Sequence, residues 1–239
     1  MTIKVNTFYK VNAFTLVMRK HLFGLYMKEE TPKFVGKLRE RQKAQTYKLI
    51  LESARTLFDE LGFEKTTMRA VAARAEIGLG TIYKYVSQKN GLLAAAFFDD
   101  LKRIMEKTFD ALTPNLSLKT KLLYIAGQYY DFYAIRPSLS RTYLIQLSQF
   151  DSIWMKRIID LDETYLSGVT HQIDEAKKTG EVRKNVDSYL VATAFLSHYL
   201  YVLAIHMALN CIASEPMLKD LEGLIDLLLS GISSPEDLV

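Results

Sequence analysis

Residues 77–89 read IGLGTIYKYVSQK. Two glycines, a threonine, two tyrosines around a lysine and a closing lysine gather hydroxyl and ammonium donors on one short stretch. Three chemistries fit such a stretch: a phosphate-cradling glycine loop, an aromatic core helix, or a short helix that touches nucleic acid. A Walker loop needs G-x-x-x-x-G-K-[ST] after a strand, and a dinucleotide fingerprint needs a third glycine inside a βαβ unit. Neither is present. Gly80 and Thr81 leave room for close approach to base edges, while Tyr83, Lys84, Tyr85 and Lys89 offer donors to phosphate oxygens.

Other reactive side chains do not assemble into a catalytic pattern. The four histidines, at 21, 171, 198 and 206, lack HExxH spacing, and His198 and His206 have no evident third metal ligand. There is no G-x-S-x-G elbow and no cysteine–histidine signature. The single cysteine, Cys211, excludes an internal disulfide framework and a cysteine-built zinc site. Asp99-Asp100 and the run DLDE are explained by charge on solvated helix faces. The expectation is a protein that is not an enzyme and holds no metal or cofactor.

The elements around residues 77–89 are helical. In TYKLILESARTLFDELG, the residues Tyr47, Ile50, Leu51, Ala54, Leu57, Phe58 and Leu61 share one face, and Gly62 supplies a stop. Thr66 or Thr67 offers an N-cap for a helix from about 68 to 75. A short helix over about 79–86 follows, then a long one from about 88 to 112. Two short helices joined by a tight turn, the second polar and aromatic on its outer side, describe a helix-turn-helix. Further helices are expected at about 117–135, 138–148, 151–178, 187–210 and 216–230, and no segment alternates as a strand does. The fold class is all-α.

Charge is uneven along the chain. Residues 1–90 hold 17 Lys/Arg against 8 Asp/Glu, a balance of +9, whereas the remainder holds 14 against 19, a balance of −5. A basic N-terminal part suits a polyanion. No apolar run approaches the roughly 20 residues that span a bilayer. Arg19 and Lys20 interrupt the apolar NAFTLVM, so no secretion signal is expected. A reducing, cytoplasmic setting without a membrane partner fits. Residues 1–36 form an irregular N-terminal extension, and Met27 begins a natural polar start. Residues 37–92 are assigned to a helix-turn-helix domain and residues 93–239 to a helical effector-binding and dimerisation domain.

The stretch TTMRAVAARAEIGLGTIYKYVSQKNGLLAAAF, residues 66–97, with LFDELGFEKTT before it, resembles the DNA-binding segment of the tetracycline-repressor-like (TetR) family. That resemblance implies a three-helix DNA-binding domain on a larger helical domain, acting as a homodimer on double-stranded operator DNA. It implies that Thr67 meets phosphate, that Arg69, Leu79, Gly80, Thr81 and Lys84 face base edges, and that Tyr83, Tyr85 and Lys89 hold the backbone. Ring packing in the small domain is the alternative for both tyrosines, and plain solvation for Lys89. The chain departs from the family at Glu76, where a turn glycine is usual, at Gly78, where serine or threonine is usual, and at Val86 in place of phenylalanine.

VDSYLVATAFLSHYLYVLAIHMAL is apolar nearly all round, so more than one neighbour must cover it. With MLKDLEGLIDLLLSGI it suits a four-helix dimer interface. Tyr129, Tyr133, Trp154, His171, Phe195 and His198 are candidates to line a pocket for a small effector of unknown identity, although aromatic stripes at helical spacing are also ordinary core. The reading is a ligand-responsive transcriptional regulator, a repressor. A constitutive DNA-binding dimer and a helical carrier or enzyme are the alternatives.

Overall fold

A computed structural model describes residues 37–232, and the expectations for residues 1–36 and for a start at Met27 lie outside them. Among the described residues there are nine α-helices and no β-strand. The small N-terminal part is built from α1 (Lys37–Lys65), α2 (Met68–Arg74) and α3 (Leu79–Ile82). The long α4 (Lys89–Asp110) leads into α5 (Leu118–Ile135) and α6 (Pro137–Gln146). A 3₁₀ turn over Leu147–Gln149 precedes α7 (Ser152–Thr179), α8 (Ser188–Ala208) and α9 (Ser214–Ser230).

The apolar stripe of α1 folds as its periodicity dictates. Ile50, Leu51, Ala54, Leu57 and Phe58 are buried against α2 and α4. Leu61 departs from that expectation. Gly62 adopts a positive φ of 78° and re-aims the last turn, so Phe63 enters the core against Phe58 while Leu61 stays exposed. The buried Thr66 hydroxyl lies within hydrogen-bond reach of the Leu57 and Gly62 carbonyls, which satisfies backbone acceptors that the kink leaves open.

The larger part packs α5 on α9, α7 on α8 and α8 on α9. Its centre holds the fully buried Tyr130, Phe195, Leu122, Ile125 and Ile173. His206 on α8 ties this end together. Its Nε2 stands 2.7 Å from the Asp220 carboxylate on α9, and its Nδ1 3.2 Å from the Cys211 carbonyl.

The expectation that no segment reaches membrane-spanning length is corrected at α8. Its 21 residues, mean hydropathy 1.5, meet that test by length and composition, and it alone does so among the described residues. Val191, Ala192, Phe195, Tyr199, Val202 and Leu203 face inward. Leu190, Tyr201 and Ile205, spaced as one helical stripe, stay exposed on this single chain.

Candidate nucleic-acid interface

The interface begins with how α2 starts. Thr67 has extended backbone, and its side-chain oxygen accepts a hydrogen bond from the Ala70 amide at 3.1 Å. This N-cap contributes about 1 kcal/mol to a helix too short to persist alone. Thr67 and Arg69 remain exposed at this end, and Arg69 makes no ion pair among the described residues.

The turn after α2 closes in a Schellman pattern. The Ile77 amide bonds the Ala72 carbonyl at 3.0 Å and the Glu76 amide bonds Ala73 at 3.2 Å. Such a turn puts the residue after the C-cap in the left-handed region, and Glu76 has φ 55°. The same chain position where the sequence departs from a usual glycine is thus the one that carries backbone strain.

Helix α3 is seated by Ile82, fully buried, and Val86, nearly so. Burying each contributes roughly 1.5–3 kcal/mol. With those two turned inward, the opposite side faces out. Leu79, Gly80, Tyr83 and Lys84 are exposed and Thr81 is half-buried. A Cβ placed on Gly80 would meet nothing within 4 Å, so this face is open to a groove rather than packed. Tyr83, 51% exposed, has its ring outside the core, the placement that a phosphate contact requires.

Tyr85 and Lys89 are placed differently. Tyr85 is half-buried and stacks on Tyr47 of α1, with ring centroids 6.2 Å apart. The Lys89 ammonium donates to the Phe63 carbonyl at 2.7 Å and the Glu64 carbonyl at 3.1 Å, and sits 4.3 Å over the Phe63 ring. Two of its three protons are therefore spent on the end of α1. Lys89 locks the kink at Gly62, and one N–H is left for another acceptor. The sequence does not reveal this, because the acceptors stand some 25 residues upstream.

The effector candidates do not form one group. Tyr129 and Tyr133 are buried, as sequence suggests, but their neighbours include Tyr130, Tyr165 and Tyr199, which the pattern did not single out. The Tyr129 ring meets Tyr165 edge-on at 5.3 Å, and Tyr130 stacks on Tyr199 at 4.9 Å. Desolvation raises all five phenols well above their usual pKa. The buried Tyr165 hydroxyl has no hydrogen-bond partner among the described residues. Phe195 is fully buried one turn before Tyr199 on α8. His198 is half-buried, its Nδ1 2.6 Å from the Ala194 carbonyl of its own helix.

Trp154 and His171 stand apart from this cluster. Trp154 lies eleven residues before Tyr165 on α7, about 16 Å along the axis. It packs against Phe98 and beside Gly91 at the start of α4, with the Arg157 guanidinium over its ring. His171 falls between the inward positions Val169 and Ile173 and is exposed.

One functional candidate escaped the sequence reading. Asp162 occupies the inward stripe of α7, in register with Met155, Ile158, Ile159, Leu166 and Val169. Desolvation, then the neighbouring Glu163, lifts its carboxyl to about 7. Its side chain nonetheless keeps accessible surface. Asp162 is exposed, and its charge lies near enough to act on Tyr129, Tyr133 and Tyr165. A charged residue breaking an otherwise apolar stripe was the available signal. Among the described residues no cluster of three His, Cys, Asp or Glu could hold a metal ion.

Comparison with known proteins gives this geometry its context. Residues 50–96 match the model of bacterial regulatory proteins of the tetR family. The HTH-type transcriptional regulator YhgD of Bacillus subtilis (strain 168) is 28% identical over 157 residues, 65% of this chain and 81% of that protein. The fatty acid metabolism regulator protein of the same organism is 22% identical over 62% of this chain and 76% of its own. The crystal structure of the Bacillus subtilis regulator FadR in complex with stearoyl-CoA covers 78% of this chain and 99% of its own, with TM-score 0.63 and 19% identity. The matched span runs from the buried stripe of α1 through α3 to the start of α4, and the relatives are transcriptional regulators rather than enzymes. Over residues 50–96 the chain carries the DNA-binding domain of the tetR family of bacterial regulatory proteins, and it is a DNA-binding transcriptional regulator.

Proposed function

We propose that the protein is a homodimeric repressor that holds two-fold symmetric operator DNA through α2 and α3 and releases it when a small amphipathic effector binds. The observation that carries this reading is the outward face of α3. Leu79, Gly80, Tyr83 and Lys84 are exposed on a helix otherwise anchored by Ile82 and Val86. In the groove, Leu79 meets a thymine methyl, Lys84 a base edge or phosphate, and Thr67 and Tyr83 the backbone. Lys89 supports the interface by fixing the end of α1, with its remaining proton free for phosphate. The DNA-reading unit spans residues 37–92 and the remainder of the chain senses and dimerises, with α4 continuous across that boundary.

The exposed stripe of Leu190, Tyr201 and Ile205 on α8, with Leu227 on α9, supports the dimer. Only 39% of the apolar window of α8 is buried on one chain, so a second copy is the natural cover. Pairing these faces sets two α3 helices about 34 Å apart, one turn of duplex. The tyrosine cluster, with a Tyr165 hydroxyl unpaired among the described residues and Asp162 beside it, is the proposed effector seat, with Tyr129, Tyr133, Phe195 and His198 around it. Stearoyl-CoA in the Bacillus subtilis regulator supports an effector joining an apolar body to an anionic head. An effector that favours the DNA-incompetent spacing shifts the equilibrium by its difference in affinity for the two states.

Fluorescence anisotropy against duplex DNA from upstream of the protein's own gene, at several salt concentrations, tests this. Tyr83→Phe and Lys84→Ala weaken binding, and Lys84→Ala lowers the salt slope by about 1. Equal affinity for that duplex and a scrambled one, together with no duplex recovered by selection from genomic fragments, would overturn the reading.

A further inference from the structure

A second polar feature lies away from the DNA face and borders the tyrosine cluster where Phe132 packs on Tyr133, ring centroids 5.3 Å apart. A cleft of about 300 Å³ opens where α1 meets α4, α5 and α6. Arg55, Arg103, Lys107 and Arg136 line it against the single acid Asp100. Its apolar side is formed by Phe58, Phe97 and Phe132, the last two meeting edge-on at 5.4 Å. Asp59 pairs with Arg136, and Asp99 lies near Arg55 and Arg103, so the four cations keep a small positive excess. Beside an aromatic wall that excess makes a recognisable chemistry: one end takes a carboxylate or phosphate, the other an apolar chain or ring.

Two of the cations also hold the small N-terminal part to the rest. Arg55 of α1 donates from Nη2 to the Ala96 carbonyl at 3.0 Å and to Asp100 Oδ1 at 3.1 Å, both on α4. Its Nε is buried and has no acceptor among the described residues. A buried N–H without a partner is rare in native proteins and marks a position where an acceptor is wanting. Arg136, between α5 and α6, pairs with Asp59 of α1 at 3.3 Å. Arg103 and Lys107 project from exposed positions on α4. Arg103 shares Asp100 with Arg55 at a looser 3.5 Å, and Lys107 makes no ion pair among the described residues.

We infer that this cleft binds an amphipathic anion, a carboxylate or phosphate on an apolar chain, whose head competes with Asp100 for Arg55 and so loosens the attachment of α1 to α4. The inference rests on the reading of the protein as an effector-responsive regulator and adds, beside the tyrosine-cluster seat, a second anion site at the joint between α1 and α4. The anion draws on Arg103 and Lys107 for charge and on Arg55 for geometry. Because α1 carries α2 and α3 with it, a change at Arg55 is a change in the angle of the recognition helix. The tyrosine cluster needs no part in this step.

The test uses the full-length dimer and calorimetric titration with sodium dodecanoate and dodecyl phosphate below their micelle concentrations. Dodecanol supplies the chain without charge, and inorganic phosphate the charge without a chain. Arg103→Gln combined with Lys107→Gln removes two exposed cations without touching the buried core, and circular dichroism checks that the fold persists. Both amphiphiles bind once per protomer, at least tenfold tighter than dodecanol or phosphate, and the double variant loses at least tenfold. Asp100→Asn, which frees Arg55, tightens binding. Dodecyl phosphate binding more tightly than dodecanoate assigns the head to phosphate, and the reverse order to carboxylate. Equal binding of dodecanol and dodecanoate, or unchanged affinity in the double variant, overturns the inference. Operator affinity without ligand is measured in parallel. Its absence with cleft binding intact would refute the repressor reading alone, and its presence with no cleft binding would refute only the cleft.

Discussion

Glu76→Gly should stabilise the protein, and the size of the gain follows from one dihedral angle. Glu76 holds φ 55° at the position after the C-cap of α2, with its amide bonded to Ala73 and the next amide to Ala72. A non-glycine residue in the left-handed region costs roughly 1–2 kcal/mol. Glycine removes that cost but frees the unfolded chain, which offsets roughly 0.4–1 kcal/mol. The net expectation is about 0.5–1 kcal/mol of stabilisation. For a chain of this size that is a rise in Tm of about 1–4 °C. The control is Glu76→Ala, which deletes the same carboxylate but keeps a Cβ in the strained conformation. Urea unfolding followed by circular dichroism at neutral pH measures both. Glycine should exceed alanine in stability by about 1 kcal/mol, while both bind operator DNA more tightly than the parent at low salt, since a carboxylate is lost beside phosphate. A glycine variant no more stable than the alanine variant would show that the turn does not store strain at Glu76.

Lys89→Ala should destabilise the fold by about 1–2 kcal/mol, because two charge-assisted bonds to the Phe63 and Glu64 carbonyls vanish; its salt slope on DNA should change less than that of Lys84→Ala. Asp162 gives a pH prediction. Desolvation and Glu163 raise its carboxyl above the ordinary 3.8, to an extent that its exposed position limits, so the native state holds the proton more tightly than the unfolded chain. That contribution is fully present below about pH 4 and is lost as pH rises towards 7. Asp162→Asn should therefore flatten the fall in urea midpoint between pH 4.5 and 7.5, and an unchanged pH profile would place the carboxyl in bulk water. Ile205→Glu puts a charge in the exposed stripe of α8 and should convert the dimer to monomers in sedimentation velocity, with operator affinity falling at least tenfold.

The parts of this molecule that sequence makes legible are those whose determinants are neighbours in the chain. Caps at Thr67, Ser117, Asp151 and Asp187 lie within three residues of the amides they accept from, so helix starts fall within a residue or two of expectation. The outward face of α3 is legible for the same reason, since Ile82 and Val86 are one turn apart and fix where Leu79, Tyr83 and Lys84 must point. Lys89, Trp154 and Arg55 were harder. Each is decided by a partner from another element: a carbonyl on α1, the flank of α4, a carboxylate 45 residues downstream. A lysine after a recognition helix looks the same in sequence whether its ammonium meets phosphate or the end of a preceding helix.

The case of α8 separates these two kinds of information. Its sequence is apolar on every side, from which it follows that every side is covered, but the pattern is silent on what does the covering. The fold answers for half: Val191, Phe195, Tyr199 and Val202 are buried, with Tyr199 stacked on Tyr130 of α5, and α7 and α9 pack on the same helix. The other half, Leu190, Tyr201 and Ile205, is flanked by Tyr189 and by polar Thr193 and Ser197, whose hydroxyls bond the Tyr189 and Thr193 carbonyls of their own helix. Hydroxyls satisfied within the helix suit a protein neighbour at close range as well as they suit lipid. What decides between them is the rest of the helix: His206 is bound to Asp220 in the opposite face, and a lone span would have to carry α7 and α9 with it, both charged along their outer sides. In the proposed dimer a second copy of α8 and α9 would cover the stripe with no such cost, and the same pairing would set the spacing on which a two-fold DNA site depends.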